Sequence, residues 1–183
     1  MSNKLCNILI PVDFTSKNKW AIAKGIEMAN QMNCNIHLVN IVKPNFFSSF
    51  TPYESHVDRL NSYDQLKDLA VSYSNQLSGN GKIEISLLEG NTTNKLAEYI
   101  RDFEMDMVVL GLSGTNLFQR RISSSSINKI AKKANVPVLA VGSNLIMVKN
   151  PVEKNKIPRW WNKLYNKILS YGSEIPVMTM SNQ

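Results

Sequence analysis

The chain is poor in the residues from which metal and redox sites are usually built. Its 183 residues include two cysteines and two histidines. Cys6 and Cys34 show no metal-ligand spacing, and we expect two buried thiols rather than a disulfide. His37 and His56 are too few and too isolated for a histidine-based metal site. No nucleophile and base occur with supporting spacing, so the sequence predicts no catalytic residue and no metal ligand.

Long hydrophobic segments are also absent. The sequence contains no run of about eighteen apolar residues, which excludes a predicted transmembrane helix. Its N-terminus enters a strand-like run almost at once and lacks the features of a signal peptide, so we expect a cytoplasmic protein. With 43% hydrophobic residues, the chain can still bury a proper core, which excludes a disordered composition.

Positive charge is unevenly distributed. The formal net charge is +7. Residues 1–143 hold 15 Lys and Arg against 12 Asp and Glu, whereas residues 144–183 hold 6 against 2. The excess therefore belongs mainly to the C-terminal forty residues and says more about what that tail contacts than about the rest of the chain. We predict a main domain over 1–143, followed by a linker and a basic extension over 144–183.

Apolar runs alternate regularly with helical patterns. The pattern predicts helices from near Ser16, over a long segment closing near Gly79, after a cap at Thr92 or Thr93, and from Ser125 to Ala134. The predicted strands are 7–12, 35–42, 83–88, 107–110 and 136–141. This alternation indicates an α/β fold with an open, parallel, five-stranded sheet and helices on both faces. Such sheets bind ligands beyond the carboxyl ends of their strands, where the strand order reverses.

The segment from Val108 to Val141 carries the strongest functional signal. A glycine turn, Gly111 to Gly114, follows the fourth strand and lets the backbone pass close to a ligand. The serines at 123–126 open a helix, and hydroxyls with free N–H groups at a helix start suit a phosphate. Arg120 and Arg121 add positive charge, although such a pair is more often solvated. Together these residues indicate a nucleotide-phosphate site, with turn formation and helix capping as the alternative.

The same residues resemble the universal stress protein family over residues 4–143. The resemblance rests on the first strand with Asp13, on the fourth strand leading to Gly111 and Gly114, and on the fifth strand. Nucleotide-binding members carry a glycine, two residues, a glycine, nine residues, a glycine, then Ser or Thr. Here Ser124 replaces the third glycine and Ser125 fits the hydroxyl position. If that glycine needs a positive φ, serine costs about 1 kcal/mol or more, but serine serves well if only an N–H is needed.

The resemblance implies a Rossmann-like sheet of order 3-2-1-4-5 and a regulatory protein of the stress response that binds ATP, either alone or with Mg²⁺. It implies no enzymatic activity beyond slow, incidental ATP hydrolysis. The alternative is a dimeric interaction module that binds no nucleotide and whose tail recruits a partner or a membrane surface. No nucleic acid is expected as a partner. The implied nucleotide-binding residues are Pro11, Val12, Asp13, Val39, Ile41, Gly111, Gly114, Ser124, Ser125 and Ser126.

The resemblance and the tail also predict assembly. Resembling proteins pair the fifth strand across a two-fold axis, and an apolar edge strand must be paired or covered, so a homodimer through strand five is expected. In the tail, the pattern over 159–171 predicts a basic helix whose apolar stripe consists of Trp160 or Trp161, Leu164, Ile168 and Tyr171. Such a helix can lie on an anionic membrane, but we favour docking on the domain or on a second subunit. Residues after Ile175 are expected to be disordered.

Overall fold

A computed structural model describes residues 5–42, 52–112, 124–143, 146–151, 157–158, 160–170 and 177–180. Within this part of the chain lie seven strands and five helices. The strands are β1 (Cys6–Pro11), β2 (Cys34–Val42), β3 (Ile83–Glu89), β4 (Met107–Gly111), β5 (Val138–Val141), β6 (Ile146–Lys149) and β7 (Val177–Met180). The helices are α1 (Asn18–Met32), α2 (Pro52–Ser74), α3 (Thr92–Asp102), α4 (Ser124–Ala134) and α5 (Trp161–Ser170).

The strands form one sheet in the order β3-β2-β1-β4-β5-β6-β7. β1 to β5 are all parallel to one another, whereas β6 is antiparallel to β5 and β7 is parallel to β6. The predicted α/β class, the order 3-2-1-4-5 and the helices on both faces are confirmed. The five-stranded sheet is extended by two strands from the tail, so the prediction that strand five forms the sheet edge is wrong.

The sheet separates two hydrophobic layers. The central strands carry apolar side chains on both faces, as strands covered by helices require: Ile8, Leu9 and Ile10 of β1 are all fully buried. On one face these residues pack with α1, α2 and α5, and on the other with α3 and α4. Successive side chains along each strand point to opposite faces of the sheet, so each strand contributes residues to both layers of the core.

The strand pairing and register contradict two further predictions. Val177–Met180 forms a strand that pairs with β6, so the prediction of disorder after Ile175 is wrong for these residues. Cys6 and Cys34 are register partners on β1 and β2, with Cα atoms 4.5 Å apart and a disulfide between them. The prediction of two thiols is wrong because the crossover through α1 brings the first residues of both strands side by side, within the Cα separation that a disulfide requires.

Candidate functional site

A cleft of about 480 Å³ lies at the carboxyl edge of the sheet. It opens where the chain leaves β1 in one direction and β4 in the other, which is the point at which the strand order reverses. Parallel α/β sheets place their ligands at this point because the flanking loops diverge there. The cleft is lined by Pro11, Val12, Asp13, Lys17, Asn18, Asn40, Ile41, Thr92, Thr93, Leu96, Leu110, Gly111 and Ile130.

The turn between β1 and α1 is fixed by its own polar side chains. The Asp13 N–H donates to Asn18 Oδ1 at 3.0 Å, and Asn18 Nδ2 donates to the Pro11 carbonyl at 3.4 Å. Asp13 Oδ1 in turn accepts from the Thr15 N–H at 3.1 Å. Phe14 between them has a φ of 56°, a left-handed conformation that costs a non-glycine residue energy. These bonds hold the turn rigid at the mouth of the cleft.

Among the described residues that line the cleft, the charged side chains form one ion pair. Lys17 Nζ lies 3.8 Å from Asp13 Oδ2, and the Lys17 side chain is 28% exposed against 56% for Asp13. A pair at this distance and exposure contributes little to stability. The ammonium of Lys17 is therefore held near the cleft by a weak partner that a more highly charged anion can outcompete.

Gly111 closes the cleft from the β4 side. A Cβ at this position would lie 2.6 Å from the Lys17 carbonyl oxygen, closer than real Cβ atoms approach a backbone oxygen. The glycine is thus required by the contact between the end of β4 and the start of α1. The sequence prediction placed Gly111 in a ligand-facing turn, and the structure adds this packing reason for a residue without a side chain.

The end of β2 forms the opposite wall. Asn40 is 8% exposed, and its Nδ2 donates to the Val12 carbonyl at 2.8 Å. The Val12 N–H donates to the Val39 carbonyl at 2.9 Å. This crosslink between β1 and β2 directs Ile41 into the cleft lining while Val39 is fully buried in the core.

The first turn of α3 completes the lining. Asn91 precedes the helix with extended φ and ψ of −72° and 120°, and its Oδ1 accepts from the Asn94 N–H at 3.2 Å. The predicted cap at Thr92 or Thr93 is therefore one or two residues too late. Because Asn91 caps the helix, both threonines are left to line the cleft, next to backbone N–H groups at the positive end of the helix dipole.

Half of the sequence-predicted site residues meet at this cleft. Those that line it are Pro11, Val12, Asp13, Ile41 and Gly111. Val39 lies beneath it in the core. The backbone of 124–126 forms the first turn of α4, whereas Gly114, Arg120, Arg121 and Ser123 lie outside the described residues.

Sequence patterns did not indicate several lining residues. Lys17 and Asn18 stand at the start of α1, and Asn40 occupies a strand position. A lysine or asparagine at such a site is more often solvated than functional, so the sequence carries no distinct signal for them. Of these three residues, only Asn40 carries a usable sequence signal, because a polar residue inside an otherwise apolar buried strand needs a hydrogen-bond partner.

A second polar cluster lies within the sheet, on the face covered by α3. His37 Nδ1 is 3.0 Å from Tyr99 Oη, which is 2.9 Å from Ser86 Oγ. Burial lowers the pKa of His37, and the Glu84 carboxylate, 3.7 Å away, opposes that shift. Burial also raises the pKa of Tyr99. The lowered pKa favours the neutral imidazole of His37, which shares a hydrogen-bonded network with Tyr99 and Ser86, as expected for a satisfied core histidine.

The described ranges contain neither a candidate metal site nor a candidate membrane span. These residues contain no group of three or more His, Cys, Asp or Glu side chains placed to hold a metal ion. None of the described helices has the length and apolarity needed to cross a membrane.

Sequence comparison places the chain among known proteins. A profile of the universal stress protein family matches residues 6–142. A putative universal stress protein of Staphylococcus epidermidis is 26% identical over 141 residues, covering 74% of this chain and 82% of that protein. A putative universal stress protein of Staphylococcus haemolyticus is likewise 26% identical, over 142 residues, with 74% and 83% covered.

Solved structures share the fold at lower identity. Universal stress protein UspA of Lactobacillus plantarum has a TM-score of 0.60 and 22% identity, covering 75% of this chain and 98% of that one. A universal stress protein of Archaeoglobus fulgidus in complex with dAMP has a TM-score of 0.55 and 14% identity, covering 74% and 96%. A universal stress protein in complex with cAMP also scores 0.55, at 16% identity, covering 76% and 98%. With the family profile matching from the first strand to the fifth, the chain belongs to the universal stress protein family.

Proposed function

We propose that the cleft between β1 and β4 binds an adenine nucleotide, with ATP as the expected ligand, and that the protein is a regulator rather than an enzyme. The carrying observation is the composition of the cleft. Apolar walls, a lysine and the start of a helix converge at the reversal point of a parallel sheet, the position at which such sheets bind nucleotides. The cleft volume of about 480 Å³ lies within the usual range for small-ligand sites.

The apolar part of the lining suits a base. Ile41 follows from β2, Leu110 from β4, Leu96 from α3 and Ile130 from α4, so aliphatic groups approach from four elements. A flat heterocycle buried between such groups gains the hydrophobic free energy of its faces, about 25 cal/mol per Å² removed from water. The amides of Asn40 and Asn18 each make hydrogen bonds within the protein, and their remaining donor and acceptor capacity is available to the polar edge of a base.

The cationic part of the lining suits phosphate. Lys17 supplies the ammonium, and the first turn of α3, which carries Thr92 and Thr93, supplies the positive end of a helix dipole. The N-terminus of α4 also points toward the carboxyl edge, because each helix of a parallel β-α-β unit starts where its strand ends. Its first turn carries Ser124, Ser125 and Ser126. A phosphate at these helix starts gains both hydrogen bonds and the favourable end of the dipole.

Asp13 is the described lining residue that would ligate a metal ion in the cleft. It is the carboxylate among the described lining residues, and one of its oxygens already accepts from Thr15. Mg²⁺ in nucleotide sites is held by one or two carboxylates together with phosphate oxygens. The residues present therefore suit a Mg²⁺ that arrives with the nucleotide, with Asp13 as its protein ligand.

Two further facts support this function. Universal stress proteins of the same fold have been solved in complex with dAMP and with cAMP, so an adenine nucleotide is a ligand of related proteins. Asp13, the carboxylate of the described lining, already accepts from the Thr15 N–H and lies 3.8 Å from the Lys17 ammonium, contacts that favour a binding role over that of a general base. We therefore expect nucleotide occupancy to set the conformation of the protein in the cytoplasm rather than to drive turnover.

Calorimetry with the purified chain tests this function. ATP with Mg²⁺ should bind and raise the melting temperature, because a ligand that binds only the folded state stabilises it. Lys17→Gln should weaken ATP binding about tenfold by removing a charge-assisted contact worth about 1.5 kcal/mol. Lys19→Gln is the matched control, since Lys19 lies over the Trp20 ring, and it should bind like the parent. If millimolar ATP produces neither heat nor a thermal shift, the proposed nucleotide binding is refuted, and the alternative of an interaction module that binds no nucleotide remains.

Ser124 allows a second, independent test. If serine impairs an otherwise intact phosphate site, Ser124→Gly should tighten ATP binding. If the serine donates to phosphate, the same change should weaken it. An unchanged affinity would show that this position does not contact the nucleotide.

A further inference from the structure

The outer edge of β5 is filled by the same chain. All four residues of β5 have antiparallel partners on β6, from Val138 with Lys149 to Val141 with Ile146. Their other partners lie on β4. β5 therefore has neighbours on both sides and offers no free hydrogen-bonding edge to a second molecule.

The tail also covers the apolar surface beside that edge. Ile146 and Val148 of β6 belong to the same core cluster as Leu139 and Val141 of β5. Three residues of α5 complete the cluster: Trp161 at 1%, Leu164 at 6% and Ile168 at 1% exposure. Strand and helix thus bury the edge and the side chains next to it, the two features that make an open edge strand prone to association.

A polar contact fixes α5 relative to β6. Trp161 Nε1 donates to Asn150 Oδ1 at 2.9 Å, and Asn150 directly follows the last residue of β6. A buried indole N–H needs such a partner. The helix is thereby tied to the strand that fills the edge.

The connection between β5 and β6 favours a fold within one molecule. Four residues, 142–145, separate Val141 from Ile146, and hairpin loops of two to five residues are the common length for adjacent antiparallel strands. A strand donated by a second copy would require this connection to open into an extended hinge. Pairing of β5 with β6 of the same chain requires no extended hinge.

We infer that β6 and α5 are a built-in substitute for a partner subunit: β6 fills the β5 edge of its own chain, α5 covers the apolar surface beside it, and together they exclude a second copy from that edge. The chain is consequently closed to assembly through strand five, because a partner strand would need the backbone groups that β6 already occupies. This inference stands whether or not the cleft binds a nucleotide.

Disulfide trapping in the full-length protein tests which molecule supplies the strand. Ala140 and Met147 face each other in the register, and antiparallel partners lie about 4.5–5.5 Å apart at Cα, close enough for a disulfide. The double variant Ala140→Cys/Met147→Cys is oxidised, and mass spectrometry separates the new bond from the native one between Cys6 and Cys34. The single variants are controls, since neither can form the internal crosslink.

The expected product is a monomer of about 20.7 kDa in which 140 and 147 are joined, formed at a rate independent of protein concentration. Mixing ¹⁵N-labelled and unlabelled chains should give no hybrid crosslink. Hybrid dimers joined from 140 to 147 would show that β6 comes from a second copy. Dimers of Ala140→Cys joined through position 140 would show two β5 strands paired together. Either dimer, or folded protein without any crosslink between these positions, overturns the inference.

Discussion

Replacing Trp161 with alanine should reveal how much of the fold depends on the tail. Trp161 is 1% exposed, and its ring packs in the main core cluster beside Tyr165. A buried Trp→Ala change costs about 3–5 kcal/mol through lost transfer energy and the cavity left behind. That range includes the free energy of the lost hydrogen bond to Asn150. If α5 folds cooperatively with the sheet, the whole loss appears in the main unfolding transition.

Trp20 provides the matched control. It is 39% exposed on α1, and its main additional contact is Lys19 over the ring, an interaction worth about 0.5–1 kcal/mol. Trp20→Ala should therefore cost about 1 kcal/mol or less. The two variants should differ by at least about 2 kcal/mol, or about 1 M in urea midpoint at an m of about 2 kcal/mol/M. Urea titrations followed by far-ultraviolet circular dichroism measure this, and equal midpoints would refute the packing of α5 into the core.

Three other perturbations test separate parts of the structure. Gly111→Ala should destabilise the protein by about 1–3 kcal/mol, because the new Cβ overpacks against the Lys17 carbonyl; denaturant titration that finds full stability would refute the contact. His37 has a lowered folded-state pKa, so the unfolded chain binds the proton first and stability should fall as the pH drops below about 6.5. His37→Phe should flatten that decline, and equal pH profiles would contradict it. Thiol titration of denatured protein purified without reductant should find Cys6 and Cys34 unreactive until reductant is added, and two reactive thiols at the outset would refute the disulfide.

The five parallel strands were predictable because local and tertiary requirements agree there. A central strand covered on both faces reads as a nearly continuous apolar run, and Ile8 to Ile10 show it directly. The amphipathic stripe of α1 follows the same logic. The apolar stripe of α5 was visible as well, because Trp161, Leu164 and Ile168 recur at helical spacing.

The two tail strands could not be predicted from the sequence in the same way. β6 has four residues, and so short an apolar run is not assigned by its period alone. Its place in the sheet depends on pairing with β5, and β7 in turn depends on β6. The disulfide could not be predicted from the sequence for a related reason. Cys6 and Cys34 are 28 residues apart, and they come together only through the register between β1 and β2.

The cleft was predictable in position but not in its full lining. The reversal of strand order follows from the topology, and so do the contributions of Asp13 and Gly111. Lys17 reaches the cleft because the β1–α1 turn is held by Asn18 and Asp13, a local arrangement without a distinct sequence signature. Residues such as Asn40 take part through contacts across strands, which depend on register.

The cleft and the covered edge of β5 lie in different parts of the sheet and share α4 as a neighbour. The cleft opens at the carboxyl ends of the parallel strands. β6 runs antiparallel, so it starts beside Val141 at that end and finishes beside Val138 at the opposite end of the sheet. The chain therefore leaves β6 on the side away from the cleft. α4 connects the two regions, because Ile130 lines the cleft while the helix contacts β5 and β6. α4 is thus a shared neighbour of the cleft, where we propose that a nucleotide binds, and of the strand that closes the β5 edge.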